Sequence, residues 1–266
     1  MTELALGFAV LHDRRLADDA GARASALALI TSPSWDGAPR YFRSTTTPGH
    51  EPWRLPGMIP AKTLPEVVES AFQHESVSRF GLTTASDTRP DSRGLKFIRH
   101  AQHSDRFSLT YGERPATGAG TDAWLEAVLT FVDQLGGSTG VVVALWASDE
   151  IVSECSETTI SNNGQVQHPY PKQLARMQAH REHMGTRYVR FPRWGTLISH
   201  DHVAQLGGVG AITAAVAPAV VRELSGGVYF QLTDSLATAR GEEAVTKRKL
   251  FTDFVAPLLP PPQAPR

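Results

Sequence analysis

Apolar residues along this chain recur at helical and strand spacings that change from segment to segment. Leu4 to Leu11 is a short apolar run that reads as a buried strand. Ser25-Ala26-Leu27-Ala28-Leu29-Ile30 reads as its antiparallel partner, with a helix left open by the alanines. Thr63-Leu64-Pro65-Glu66 has the form of a helix start, with Thr63 as cap and Glu66 three residues on. Val67, Val68, Ala71 and Phe72 follow at helical spacing and should face the core. Leu95 to Ile98 and Arg106 to Tyr111 alternate as strands do. The clearest helix runs from Thr121 to Leu135, with Thr121 or Asp122 as cap. Trp124, Leu125, Val128, Leu129, Val132 and Leu135 form its buried stripe, and Gly136-Gly137 end it. The unbroken apolar run Val141 to Trp146 predicts a central strand covered on both faces.

The last third is patterned as closely. Pro169-Tyr170-Pro171 opens a polar helix to about Met184. Arg193-Trp194-Gly195-Thr196-Leu197-Ile198 reads as a strand that runs into a short helix from Ser199 to Leu206, closed by Gly207-Gly208. Ala211 to Val216 is helical. A hairpin joins Val220 to Leu224 with Val228 to Leu232 through Ser225-Gly226-Gly227. Leu224, Val228, Phe230 and Leu232 should point inward, with Arg222 and Gln231 near strand edges. Thr246 to Leu258 closes the fold with Leu250, Phe251, Phe254, Val255 and Leu258 on one face.

Between these elements lie two long polar or proline-rich stretches. Prolines at 33, 39, 48, 52, 56 and 60 exclude a helix there and predict a long surface loop pinned by Trp35 and Trp53. Thr83 to Gly94 is polar and turn-rich. The order of elements implies an α+β fold, with mixed or antiparallel sheets and helices packed on them. A single domain over residues 1–266 is expected, with two similar lobes at about 1–150 and 151–258 as the alternative. Residues 259–266 form a loose proline-rich tail.

Composition narrows the function only by exclusion. With 266 residues, 41% of them hydrophobic and 20% charged, the chain has ordinary globular usage and enough length for a substantial core. A formal net charge of −1 provides no global field to recruit nucleic acid. The start of the chain lacks the features of a signal peptide, and no apolar stretch approaches the roughly 20 residues needed to span a bilayer. No membrane association and a cytoplasmic location are expected. Cys155 is the only cysteine, which suits a reducing compartment and reads as a small buried hydrophobe.

Signals for chemistry are weak. His100/His103 and His180/His183 are H-x-x-H pairs, which on a helix would share a face, and His200/His202 offers a third ligand on paper. No glutamate sits inside either pair as metalloproteases require, so no metal site and no cofactor are assigned. Ser199 precedes His202 but lacks the glycines of a nucleophile elbow, and it reads as a helix N-cap. Gly207-Gly208 follows a helix, where left-handed C-caps sit, and is not a phosphate loop. The acidic group Asp149, Glu150, Glu154 and Glu157, directly after the central strand, reads either as a solvated edge or as a surface complementary to a basic partner. Arg193-Trp194 is a second candidate contact, because arginine and tryptophan dominate interface hot spots, although Trp194 at a strand start fits a core equally.

The terminal block resembles the type VI immunity family, whose members neutralise antibacterial toxins delivered by contact-dependent secretion machinery. The likeness rests on the strand Arg193 to Ile198, the helix ending Val203-Ala204-Gln205-Leu206-Gly207-Gly208, the hairpin Val221 to Leu232 and the aromatic helix before the final prolines. The Trp124 helix and the Val141 strand fall in a similar order upstream. The resemblance implies an α+β, non-catalytic protein that binds a cognate toxin. It transfers no site residues. The alternative from the residues themselves is a metal-assisted hydrolase built on the histidine pairs. Oligomeric state is left open.

Overall fold

The computed structural model describes residues 5–11, 18–31, 41–46, 53, 57–74, 77–83, 94–98, 106–111, 119–137, 139–145, 160–162, 165–167, 171–180 and 183–262. Among these residues the fold is α+β, with seven helices and twelve strands, every strand pair antiparallel. In the first part come β1 (Ala5–Leu11), α1 (Ala20–Ile30), β2 (Tyr41–Thr46), β3 (Gly57–Met58) and α2 (Leu64–Gln73). They are followed by β4 (Val77–Thr83), β5 (Gly94–Ile98), β6 (Arg106–Tyr111), α3 (Ala119–Leu135) and β7 (Thr139–Leu145). The second part holds β8 (Ile160–Asn162), β9 (Gln165–Gln167), α4 (Pro171–Ala179), β10 (Gly195–Ser199) and α5 (His200–Gln205). It ends with α6 (Val209–Val216), β11 (Val220–Leu224), β12 (Gly227–Gln231) and α7 (Glu242–Phe254).

Ten strands form one sheet in the order β11-β12-β10-β7-β1-β6-β5-β4-β2-β3, and β8 and β9 pair apart from it. The Val141 strand is central, as its apolar run requires: β1 lies along one side and β10 along the other. All six residues of the predicted α3 stripe are buried, and Gly136 ends the helix at φ 64°. The face each terminal element covers follows from the register. Phe230 lies opposite Val221 and packs edge-on against Phe251 of α7, with centroids 5.6 Å apart. Tyr229 lies opposite Arg222, and Arg222 reaches Glu126 of α3 at 2.7 Å. Successive side chains point to opposite faces, so α3 covers one face of this end of the sheet and α7 the other.

Several expectations change in the folded chain. Ser25–Ile30 belongs to α1 and not to a strand. Asp19 caps that helix by accepting from Ala22 N at 2.9 Å, and Ala22, Ala26 and Leu29 bury its inner face. β1 pairs instead with β6 and β7. The proline-rich stretch contains β2, which falls in the proline-free interval between Pro39 and Pro48 where every backbone donor is available. Trp53 does pin this region, edge-on to Phe42 at 5.6 Å, whereas Trp35 lies outside the described residues. Thr63 precedes α2, but its hydroxyl donates back to Pro60 O at 3.2 Å and does not cap the helix. α4 is shorter than its polar pattern, and Met184 instead bridges to Tyr188. Gln231 is buried, not at an edge. The proline tail is packed at its start: Leu259 and Pro260 are buried, and Pro260 O accepts from Arg176 Nε at 2.6 Å.

Gly226 marks the tightest joint between the two parts. In the turn of the terminal hairpin, a Cβ there would collide with the carbonyl oxygens of Gly136 and Gly137 at the end of α3. Ser225 N meanwhile donates to Asp133 Oδ1 at 2.6 Å. Backbone cannot yield as a flexible side chain would, so Gly226→Ala should cost about 2 kcal/mol in urea unfolding. Gly210→Ala, in α6 with open space around it, should be neutral or stabilising by up to about 1 kcal/mol.

Candidate functional site

β10 is buried along its whole length, and a chain of buried polar groups locks its start. Trp194 Nε1 donates to Thr233 Oγ1 at 2.9 Å, Tyr229 OH to Gln231 Oε1 at 3.1 Å, and Gln231 Nε2 to Thr233 O at 2.8 Å. Arg193 Nη2 donates to Gln173 Oε1 at 2.9 Å and Nη1 to Pro192 O at 3.0 Å. Burial pushes the Tyr229 hydroxyl pKa up, and the negative charge of Glu126 adds to that. Gly195 must be glycine, because a Cβ would enter the Tyr229 ring. Arg193 and Trp194 are therefore interior residues, 6% and 5% exposed, and not the surface anchors that the sequence suggested. The reason is positional: the strand they lead into runs between two others and has no free edge. Asp149, Glu150, Glu154 and Glu157 lie outside the described residues, as do His100, His103 and Cys155.

His180, His183, His200 and His202, among the described residues, make contacts within the fold. His180 and His183 both contact the Tyr188 ring, at centroid distances of 5.3 and 6.5 Å. His200 Nε2 bonds Leu224 O at 2.9 Å and ties α5 to the hairpin. Ser199 is the N-cap of α5, accepting from His202 N at 3.3 Å, while its hydroxyl also meets His202 Nδ1 at 2.8 Å. This serine–histidine pair is enclosed, with Ser199 9% and His202 1% exposed, so it reaches no substrate in this conformation. Gly207 and Gly208, both at φ 89°, close α5 as a left-handed cap, with Gly208 N donating to Val203 O at 2.9 Å. Among the described residues, no three His, Cys, Asp or Glu side chains gather as a metal would require.

Among the described residues, five of the six large exposed apolar side chains, Val209, Val220, Val221, Val245 and Leu250, lie in the terminal block. A groove of about 450 Å³ opens between α6 and α7, lined by Ala215, Val216, Ala217, Thr246, Leu250 and the charged Glu242, Glu243 and Lys247. Leu250 is 46% exposed, against the core placement its pattern suggested. Leu250 and Phe251 are adjacent on one helix, about 100° apart, and the core takes Phe251. Lys247 is held by Glu243 at 2.7 Å and donates to Leu232 O at 3.2 Å, so the groove's cation is fixed in place. Ala217 ends α6 at φ 50°, a left-handed conformation rarely taken by a residue with a side chain. Beyond it, Val220 and Val221 stand 38% and 39% exposed on β11. Local sequence carried no signal that separates Leu250 from Phe251, because adjacent apolar pairs such as Trp124 and Leu125 in α3 are both buried.

No protein-family model matches the sequence, and no curated protein matches it. The fold is similar to that of a solved Pseudomonas aeruginosa T6SS protein, PA0821, with a TM-score of 0.62 and 12% identity over 97% of this chain and 73% of the other. Among the described residues, no helix is long and apolar enough to cross a membrane.

His202 gives this block a pH dependence. Burial lowers its pKa, against smaller opposing effects from backbone hydrogen bonds at Arg187 and Thr186 and from Asp201. Above about pH 6.5 the imidazole is neutral in both folded and unfolded chains. Below that, the unfolded chain takes up the proton first, so stability should fall as pH drops from 6.5 toward the lowered folded value. Urea unfolding between pH 7 and 5.5 should show this slope, and His202→Gln should lack that component while being less stable at pH 7.

Proposed function

We propose that this chain is an immunity protein of a type VI secretion system, a cytoplasmic, non-catalytic protein that binds and neutralises a cognate antibacterial toxin. The observation that carries the reading is exposed apolar side chains, Leu250 in the α6–α7 groove and Val220 and Val221 on the two faces of β11, on a scaffold in which Trp194, Tyr229, Gln231 and Thr233 bond one another internally. The motifs of the terminal block point the same way, and the fold likeness to a T6SS protein is compatible with that setting. A surface of this kind works without rearrangement. Apolar anchors in the groove lose water on binding, and the rim carboxylates Glu242 and Glu243 steer the approach of a partner. A stable complex requires on the order of 1,600 Å² in total, so the contact extends well beyond the groove.

Co-expression with the product of a neighbouring toxin gene provides the test. The expected result is a stoichiometric complex on co-purification and growth of cells that the toxin alone arrests; neither a complex nor protection would overturn the proposal. Leu250→Asp should leave unfolding within about 0.5 kcal/mol of wild type and weaken the complex at least roughly fivefold. Elemental analysis separates the hydrolase alternative: one bound transition metal per chain, with turnover lost in His180→Ala or His183→Ala, would replace this reading.

A further inference from the structure

The two ends of the ten-stranded sheet are built differently. At one end β3 has only two residues, too short to template another strand. At the other, β11 pairs with β12 through five consecutive positions without a shift in register, and no proline lies within it. Among the described residues, no strand pairs with its outer edge. Natural sheets usually blunt such an edge by shortness, proline, a bulge or a covering element. β11 carries only the charges of Arg222 and Glu223, and Arg222 is already engaged with Glu126 across the α3 face.

We infer that β11 is the docking element for the toxin and accepts one of its extended strands, antiparallel, in continuation of the sheet. This rests on the reading of the chain as a toxin-binding protein. The strand that fits has an acidic residue opposite Arg222, a basic residue opposite Glu223 and apolar residues opposite Val220 and Val221. Main-chain hydrogen bonds supply affinity in such a mode, and alternate side chains supply specificity. Val221 lies opposite Phe230 and so on the face covered by α7. The incoming side chain opposite Val221 therefore arrives on the face that holds the α6–α7 groove.

Charge and symmetry together disfavour a second copy of this chain as the occupant. A two-fold axis joining two such edges antiparallel stands perpendicular to the sheet and keeps each face on its own side. It must therefore pair one residue of β11 with itself. Centred on Arg222 it sets guanidinium against guanidinium, and centred on Glu223 it sets carboxylate against carboxylate; like charges directly opposite destabilise a sheet. A centre at Val221 pairs only 220–222, with Val220 set against Arg222, and one at Leu224 pairs only Leu224 with itself, so neither covers all five residues. A foreign strand is free of this constraint.

The probe is a pair of synthetic octapeptides added at millimolar concentration to the full chain, followed by amide hydrogen exchange. In the matched peptide a central Lys-Glu-Val-Val, read antiparallel, sets Lys against Glu223 and Glu against Arg222. In its isomer these two charges are exchanged. The expected result is slowed exchange confined to 220–224, with the matched peptide binding at least roughly fivefold more tightly than its isomer. The double variant Arg222→Glu, Glu223→Arg, checked for folding by circular dichroism, should reverse that order. No protection with either peptide, or equal protection by both, overturns the inference. So does protection of 220–224 without peptide that grows with protein concentration as the mass doubles, because a second copy then occupies the edge. With the toxin itself, binding that is the same for wild type and double variant defeats strand addition and leaves the proposed function standing. A peptide preference as expected, with no toxin captured by wild type, supports β11 as a strand-binding edge and defeats the proposed function instead.

Discussion

The pairing of β10 with β7 holds the terminal block onto the rest of the sheet. Only three register pairs make that seam, Gly195 with Val142, Thr196 with Val141 and Leu197 with Gly140. On its other side β10 pairs with β12 through all five of its residues. A strand held on both edges and buried on both faces has no freedom to slide, because a shift of one residue would turn each side chain to the wrong face. The position of the hairpin, and so of the sheet's free edge, is set by that seam. The turn at Gly226, seated on the end of α3, gives a second point of attachment.

Polar burial ties the terminal block together from within. Trp194, Tyr229, Gln231 and Thr233 satisfy one another inside the fold, and Ser199 and His202 do the same at the start of α5. Buried polar groups that lose a partner cost more than they return when bonded, so such clusters oppose partial opening. The residues with suggestive chemistry, the serine, the histidines and the arginine–tryptophan pair, are largely committed to this internal work. Among the described residues, the α6–α7 groove and the outer edge of β11 are left outside this internal network.

Periodic elements were the most legible part of the chain. The stripe of α3, the central β7, the strands β5 and β6, and the limits of the terminal hairpin all follow from spacing, because each segment's local pattern matches the element it forms. Where composition and setting disagree, spacing fails. Ser25–Ile30 has the apolar content of a strand, but its alanines pack α1 onto α3 and α2, with Arg23 bonded to Glu69. β4, interrupted by Arg79 and Gly81, shows no clean alternation and owes its existence to pairing with β2 and β5.

By itself the sequence determined the α+β class, the positions of most regular elements, the cap at Ser199 and the glycine stop after α5, since these depend on residues close together in the chain. Only the tertiary structure decided which apolar residues stay outside. Leu250 and Phe251 are equally hydrophobic, and the position of Phe230 across the sheet gives the core to one and the groove to the other. Arg193 and Trp194 look like contact residues in a string of letters, yet strands on both sides of β10 enclose them. Exposure is a property of what else packs nearby, and those neighbours come from distant parts of the chain.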